Sequence, residues 1–262
     1  MSYEVYAIKY AELDSRTRGD SFIFDDAHDT HHPMEYFVWV IRNEERTILV
    51  DTGFDSLEGS NRGRPILAEP ADAVSAIGVE PDSIDTVIVT HLHYDHAGGL
   101  DQFPNAHFHL QESEMVYATG PCMCHAVLQK PFTAEHVCQM VRRVYEGKVA
   151  YHDGDAQVAP GVTVHKVGGH SRGLQVVRVD TTHGPLVLAS DAAHYYENYE
   201  KRSPFPLVVD VEDMLKGFDL LTKLAGDRQL VIPGHDPLVS AQFPVAFEGT
   251  GVDVRRLDLG VK

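Results

Sequence analysis

Residues 87–100 read V-I-V-T-H-L-H-Y-D-H-A-G-G-L, and no other stretch limits so sharply what this chain can become. A β-branched run, Val87, Ile88, Val89 and Thr90, stops at His91, His93, Asp95 and His96, and a glycine pair follows. A strand alternates its side chains, so one that gives out at polar residues delivers all four groups together at its carboxyl mouth. Three imidazoles and a carboxylate packed so closely would repel or compete for water unless they share something. A cation explains them, because neutral imidazole nitrogens and carboxylate oxygens are the usual ligands of a borderline divalent metal such as zinc. The plain alternative is a polar loop rich in histidine.

Three downstream residues sit in the same kind of setting. His170 follows Val162-Thr-Val-His-Lys-Val-Gly-Gly, an alternating strand closed by two glycines. Asp191 follows Pro185-Leu-Val-Leu-Ala-Ser, and His235 follows the apolar Leu230-Val-Ile with Pro233-Gly234 between. Taken singly, each could be a satisfied loop histidine or a capping aspartate. The same pattern at four strand ends argues for convergence, since ligands in α/β folds collect at the carboxyl ends of strands.

With these residues in place, the chain resembles the metallo-β-lactamase superfamily from Ile48-Leu-Val-Asp-Thr-Gly53 to Pro233-Gly-His-Asp236. H-x-H-x-D-H with His, Asp and His downstream in that order is a specific signature of the family's dinuclear sites. The resemblance implies that His91, His93 and His170 hold one metal, that Asp95, His96 and His235 hold the second, and that Asp191 bridges them. Asp51 would orient a ligand imidazole and fix its tautomer. The implied cofactor is a pair of divalent ions, zinc by family habit, with iron, manganese or cobalt as alternatives. The implied fold is α/β, a four-layer αββα sandwich with the metals at one edge between the two sheets.

Aspartate at the bridging place is similar to the hydrolase branches of the family. The implied activity is a dinuclear hydrolase that opens a lactone or ester through a metal-bridging hydroxide, similar to the N-acyl homoserine lactonases, with Asp95 and Asp191 at its centre. In those lactonases a Tyr three residues beyond the bridging Asp assists the substrate carbonyl. Here that position is His194, followed by Tyr195 and Tyr196. Either His194 or Tyr195 takes the role, or the substrate differs; the bland reading makes the tyrosines ordinary aromatic wall. A glyoxalase-II-like thioesterase and an iron-dependent redox relative are the alternatives. Only 27 residues follow His235, short of the helical glutathione-binding segment that the thioesterase branch appends.

The formal net charge of −17 argues against a nucleic-acid partner, because phosphate binding draws on clustered Lys and Arg. A small lactone or ester is the expected partner. No apolar run approaches a membrane-spanning length. The first residues carry neither a basic nor an apolar leader region, and three cysteines suit a reducing compartment, so a cytoplasmic location is expected. No linker, repeat or low-complexity run divides the chain, which reads as a single domain over 1–262. The family resemblance allows a homodimer.

Strand signals fall at 5–10, 36–41, 47–50, 86–90, 107–110, 162–167, 174–179, 186–189 and 230–232. Helical signals fall at 69–77, at 133–145 with Thr133 as N-cap, and at 210–224 with Asp210 as N-cap and Gly226 as stop. Other motifs have bland first readings. Cys122 and Cys124 read as reduced, partly buried thiols, and Arg172 as a surface-paired cation. The polar segment 25–32, with His28, His31 and His32, reads as a solvated loop. Its functional alternative is a lid, with Phe22, Phe24 and Met34 as apolar wall.

Overall fold

The computed structural model describes residues 2–24, 27–226 and 230–261, so Asp25 and Asp26 of the polar segment lie outside the described residues. A seven-stranded sheet comprises β1 (Glu4–Leu13), β2 (Met34–Arg42), β3 (Thr47–Val50), β4 (Thr86–Ile88), β5 (His107–Gln111), β6 (Val149–His152) and β12 (Asp253–Arg256). A five-stranded sheet comprises β7 (Ala156–Ala159), β8 (Val162–Lys166), β9 (Gln175–Thr181), β10 (Gly184–Ser190) and β11 (Val231–Pro233). Between the strands run α1 (Ser56–Arg62), α2 (Pro70–Ser75), α3 (Tyr94–Ala97), α4 (Glu112–Thr119), α5 (Ala126–Gln129), α6 (Ala134–Tyr145), α7 (Tyr196–Glu200), α8 (Val211–Ala225) and α9 (Pro237–Gln242).

Strand alternation builds the layers. Phe37, Trp39 and Ile41 of β2 point between the sheets, where they meet Val177 and Val179 of β9 and Leu186 and Leu188 of β10. The alternate residues of β2, Tyr36, Val38 and Val40, join a second core with Val137 and Met140 of α6. On the far side of the small sheet, Val187 and Ala189 of β10 pack with Met214, Phe218 and Leu221 of α8. Three stacked apolar interfaces require four layers, and the order is helix, sheet, sheet, helix, as the resemblance implied.

Strand direction places the site. β3, β4 and β5 are mutually parallel, and β10 is parallel to β11. Asp51 therefore leaves β3 at the same edge as His91 leaves β4, and Asp191 leaves β10 beside His235 at the end of β11. β8 is antiparallel to β9 and β9 to β10, so the β8 loop carrying His170 opens toward the same edge.

Asp210 caps α8 as expected, accepting from the backbone N–H of Glu212 at 3.0 Å and Asp213 at 3.1 Å. Thr133 stands at the N-cap of α6 but does not cap it, because its hydroxyl oxygen accepts from Arg62 at 2.9 Å while its proton goes to Glu58 at 2.6 Å. β4 ends at Ile88, earlier than the β-branched run suggests, because the carbonyls of Val89 and Thr90 turn to Gln175 of the other sheet at 2.8 and 3.0 Å. Helices α1, α4 and α9 and strands β6, β7 and β12 carry sequences too polar or too short for periodicity to reveal. Among the described residues no helix is long and apolar enough to cross a membrane.

A candidate dinuclear metal centre

The four strand ends do converge. The ligand atoms of His91, His93, His170 and Asp191 lie within 4.8 Å of one another, as do those of Asp95, His96 and His235. A third overlapping group is Asp191, His194 and His235. Asp191 joins the sets. Its Oδ1 lies 3.1 Å from His96 Nε2 and 3.0 Å from His235 Nε2, whereas its Oδ2 faces His170 Nε2 at 3.1 Å, His194 Nε2 at 2.9 Å and His91 Nε2 at 3.7 Å. One carboxylate thus divides its two oxygens between two clusters.

The hydrogen-bond network assigns the tautomers. His170 Nδ1 donates to the Leu207 carbonyl at 2.7 Å, and His235 Nδ1 to the Glu35 carbonyl at 2.9 Å. His96 Nδ1 donates to Asp51 Oδ2 at 2.7 Å. Thr90 gives its hydroxyl proton to Asp51 at 2.8 Å, so at 3.1 Å it accepts from His91 Nδ1. His91, His170 and His235 are therefore protonated on the outer nitrogen and turn a bare Nε2 lone pair inward, the state a metal ligand needs, and His96 is anchored through Nδ1 in the same orientation. The inward Nε2 atoms of His91 and His96 are buried with no hydrogen-bond partner. His93 Nδ1 lies 2.9 Å from His170 Nε2.

Charge balance points the same way. Asp51, Asp95 and Asp191 are all buried in this small volume, and buried carboxylates need compensation. Burial and the neighbouring imidazoles push His91 and His93 well below the ordinary histidine range. Burial also disfavours the charged form of His96, yet Asp191, Asp95 and Asp51 outweigh it and raise this ring well above that range. Burial opposes ionisation of Asp191, but the surrounding rings hold it well below the usual carboxylate range. The same carboxylates, Asp191, Asp95 and Asp51, favour any cation placed among them. The residues fit a metal pair.

Backbone strain collects at the same place. Asp51 and Ser190, the residues that end β3 and β10, adopt φ of 59° and 46°, a left-handed conformation unusual without glycine. Asp51 is held there by the Thr90 backbone N–H at 2.7 Å and the Thr90 hydroxyl, which also contacts Ser190 at 2.9 Å. Replacing Asp51 by alanine frees the His96 ring, and metal affinity is expected to fall about 10–100-fold. Titration against a competing chelator measures this; unchanged affinity would contradict the orienting role.

Glu114, on α4, escaped the sequence reading. Its buried carboxylate accepts from the Leu92 N–H at 3.0 Å, the Ser171 hydroxyl at 2.7 Å and the Gly173 N–H at 2.8 Å. It clamps the His91–His96 loop to the His170 loop, and burial raises its pKa despite those donors. A side chain at Gly173 would meet the Glu114 backbone nitrogen at 2.2 Å, so the contact admits glycine alone. Its only sequence signal was an acid opening a helix.

Of the two residues expected to assist, the structure brings His194 to the cluster and not Tyr195. The Tyr195 hydroxyl donates to the Pro33 carbonyl at 3.2 Å, and its ring packs on His32 and Phe22. His194 lies flat on Phe205, with ring centroids 3.6 Å apart and planes within 3°, and burial lowers its pKa to about 3. The phenols near the site are Tyr36 and Tyr94, whose hydroxyls approach each other at 3.4 Å beside Asp95. Tyr36 alternates like a core residue of β2, and Tyr94 lies inside H-L-H-Y-D-H, whose spacing points to the His and Asp and says nothing of a phenol.

Among the apolar residues of the suggested lid, Met34 lines the cleft, Phe22 is buried and Phe24 is 95% exposed. His31 turns outward to Asp14 at 3.0 Å, as in a solvated loop. Arg172 pairs with Asp210 at 3.7 Å, away from the cluster. Cys122 is half-buried, but Cys124 is exposed, and both are free thiols.

This chain is 27% identical over 240 residues to an N-acyl homoserine lactonase of a Bacillus species, covering 85% of this chain and 84% of the relative. A Bacillus thuringiensis N-acyl homoserine lactonase is 29% identical over 219 residues, 78% of this chain and 82% of the relative. A solved quorum-quenching N-acyl homoserine lactone lactonase superposes with a TM-score of 0.76 at 25% identity, covering 91% of this chain and 94% of that one. The metallo-beta-lactamase superfamily model matches residues 33–235, which include every residue of the two ligand clusters. On that match, the chain belongs to the metallo-beta-lactamase superfamily.

Proposed function

We propose that this protein is a dinuclear metal-dependent hydrolase that opens a lactone or a simple ester. The divided carboxylate of Asp191 carries the reading, because each oxygen serves a different set of inward-facing imidazoles. The N-acyl homoserine lactonases similar to it over most of the chain supply the class of bond. Bound here, two divalent ions would supply an activated water at neutral pH and polarise the carbonyl oxygen; zinc is the expected metal.

The chain's own residues do the rest. His91, His93 and His170 would hold one ion, Asp95, His96 and His235 the other, and Asp191 both. Asp51 and the carbonyls of Glu35 and Leu207 fix the ligand rings so that no reorientation is needed when substrate arrives. His194, held rigid by Phe205, is neutral near pH 7 and stands where it can orient Asp191 or meet the substrate carbonyl.

Purified protein should contain close to two metal equivalents. Chelation should abolish hydrolysis across a panel of acyl homoserine lactones, γ- and δ-lactones, glutathione thioesters and β-lactams, with lactones the most active. One iron per chain, with oxygen consumption and no hydrolysis, would replace this reading by the redox alternative.

A further inference from the structure

The cleft over the ligand cluster, about 430 Å³ in volume, carries a charge opposite to that of the chain. The protein has a formal net charge of −17. Yet the cleft wall presents Arg16, Arg62, Arg64 and Lys130 against one carboxylate, Asp20, beyond the ligands Asp95 and Asp191.

These cations are not equivalent. Arg62 is tied down, bonded to Glu58 and to the carbonyls of Lys130 at 2.9 Å and Phe132 at 3.1 Å. Lys130 is exposed to solvent. Arg16 and Arg64 are half-buried, each has a buried Nε without a hydrogen-bond partner, and neither forms an ion pair among the described residues. Asp20 accepts from the Thr17 N–H at 2.9 Å and the Thr17 hydroxyl at 3.2 Å, and Arg16 and Arg64 help to lower its pKa without bonding its carboxylate.

Aromatic rings separate both guanidiniums from the metal ligands, one ring for Arg64 and two for Arg16. Arg16 bonds the Asp20 carbonyl and covers the Phe205 ring at 5.3 Å, and that ring lies on His194. Arg64 lies against the phenols of Tyr36 and Tyr94, and the Tyr36 ring meets His235 edge-on at 5.1 Å. A half-buried cation without an ion partner costs free energy that a bound anion would recover. In a chain with so many acids, two cations above the ligand cluster that bond only neutral oxygens, with no carboxylate partner among the described residues, are a feature of the site.

We infer that the substrate of this cleft carries a carboxylate in addition to the scissile lactone or ester bond, and that Arg16 and Arg64 hold it. The guanidinium fork matches a carboxylate in two parallel hydrogen bonds. N-acyl homoserine lactones are uncharged, so the inference sets this chain apart from the relatives named for them. It rests on the proposed hydrolase only for the identity of the bond that breaks.

The test compares γ-butyrolactone-γ-carboxylate with its neutral carboxamide on metal-loaded protein. Wild type should favour the acid by about tenfold or more in kcat/KM, the low end of what a charge-assisted hydrogen bond contributes. Arg16→Gln and Arg64→Gln should each reduce that preference through KM, and the double variant should bring it close to one. Arg→Lys at either position should keep part of it, and added salt should shrink it. Equal rates on the two compounds in wild type, or an unchanged preference in the double variant, would overturn the inference. If the double variant does not fold, the single Gln and Lys variants decide. If neither lactone is opened, the wider panel decides the hydrolase reading, and the same stable pair is titrated calorimetrically. Acid-selective binding that depends on the two arginines upholds the inference; equal or absent binding rejects it.

Discussion

Replacing Asp191 by alanine is expected to empty both metal positions and to lower hydrolysis by more than about 100-fold, the upper end of the loss when only an outer partner of a ligand is removed. The reason is geometric. Oδ1 faces His96 and His235 while Oδ2 faces His170 and His194, so one substitution withdraws an anionic ligand from both clusters. The same change removes one of three buried carboxylates and with it much of the field that holds a cation. His235→Ala is the matched control, since this ring belongs with Asp95 and His96, and it should release one ion while the other stays. Metal analysis after dialysis reads both outcomes. Loss of a single ion from Asp191→Ala would show that the carboxylate does not serve two.

The second large effect is expected from a residue that touches no metal. Glu114→Ala deprives Leu92 N–H, Gly173 N–H and the Ser171 hydroxyl of their acceptor in a buried place. Each orphaned donor costs about 1–3 kcal/mol, so the three together should lower stability by at least about 3 kcal/mol. For a chain of this size that is a fall of about 6–12 °C in Tm. Metal content should fall as well, because Leu92 lies between His91 and His93 and Ser171 follows His170. A Tm within about 2 °C of wild type with full metal content would refute the clamp; that shift corresponds to less than about 1 kcal/mol.

Much of the site was legible because its residues lie at strand ends. Apolar alternation marks a strand, the strand's end marks a mouth, and His91, His93, Asp95, His96, His170, Asp191 and His235 all follow such ends. Tyr195 misled for a local reason. Position 195 is the N-cap of α7, its backbone N–H bonds the Asn198 side chain at 2.8 Å, and its phenol runs to the Pro33 carbonyl at 3.2 Å and not into the cluster. His194, one residue earlier, faces the ligands instead. Tyr36 could not be singled out, because a phenol at a core-facing strand position has the same pattern whether it borders a metal or only packs, and Tyr94 was hidden among the stronger ligand types of H-L-H-Y-D-H. The missed elements follow the same logic, since α1 reads S-L-E-G-S-N-R and is held by the Asp55 cap at 2.7 Å and Gly63, not by an apolar stripe.

The two-sheet sandwich and the ligand assignment came from the family resemblance; the order of residues by itself marked the strands by their alternation and set His and Asp candidates at their ends. Local rules suffice for that, because the period of a strand and the turn that ends it involve near neighbours. Only the folded chain decided what surrounds the ligands: the Glu114 clamp between two loops, the His194 ring stacked on Phe205, and the arginines above them. Those contacts join residues far apart in the chain, such as Arg16 with Phe205. No periodicity encodes such a meeting; the packing of the four layers brings it about.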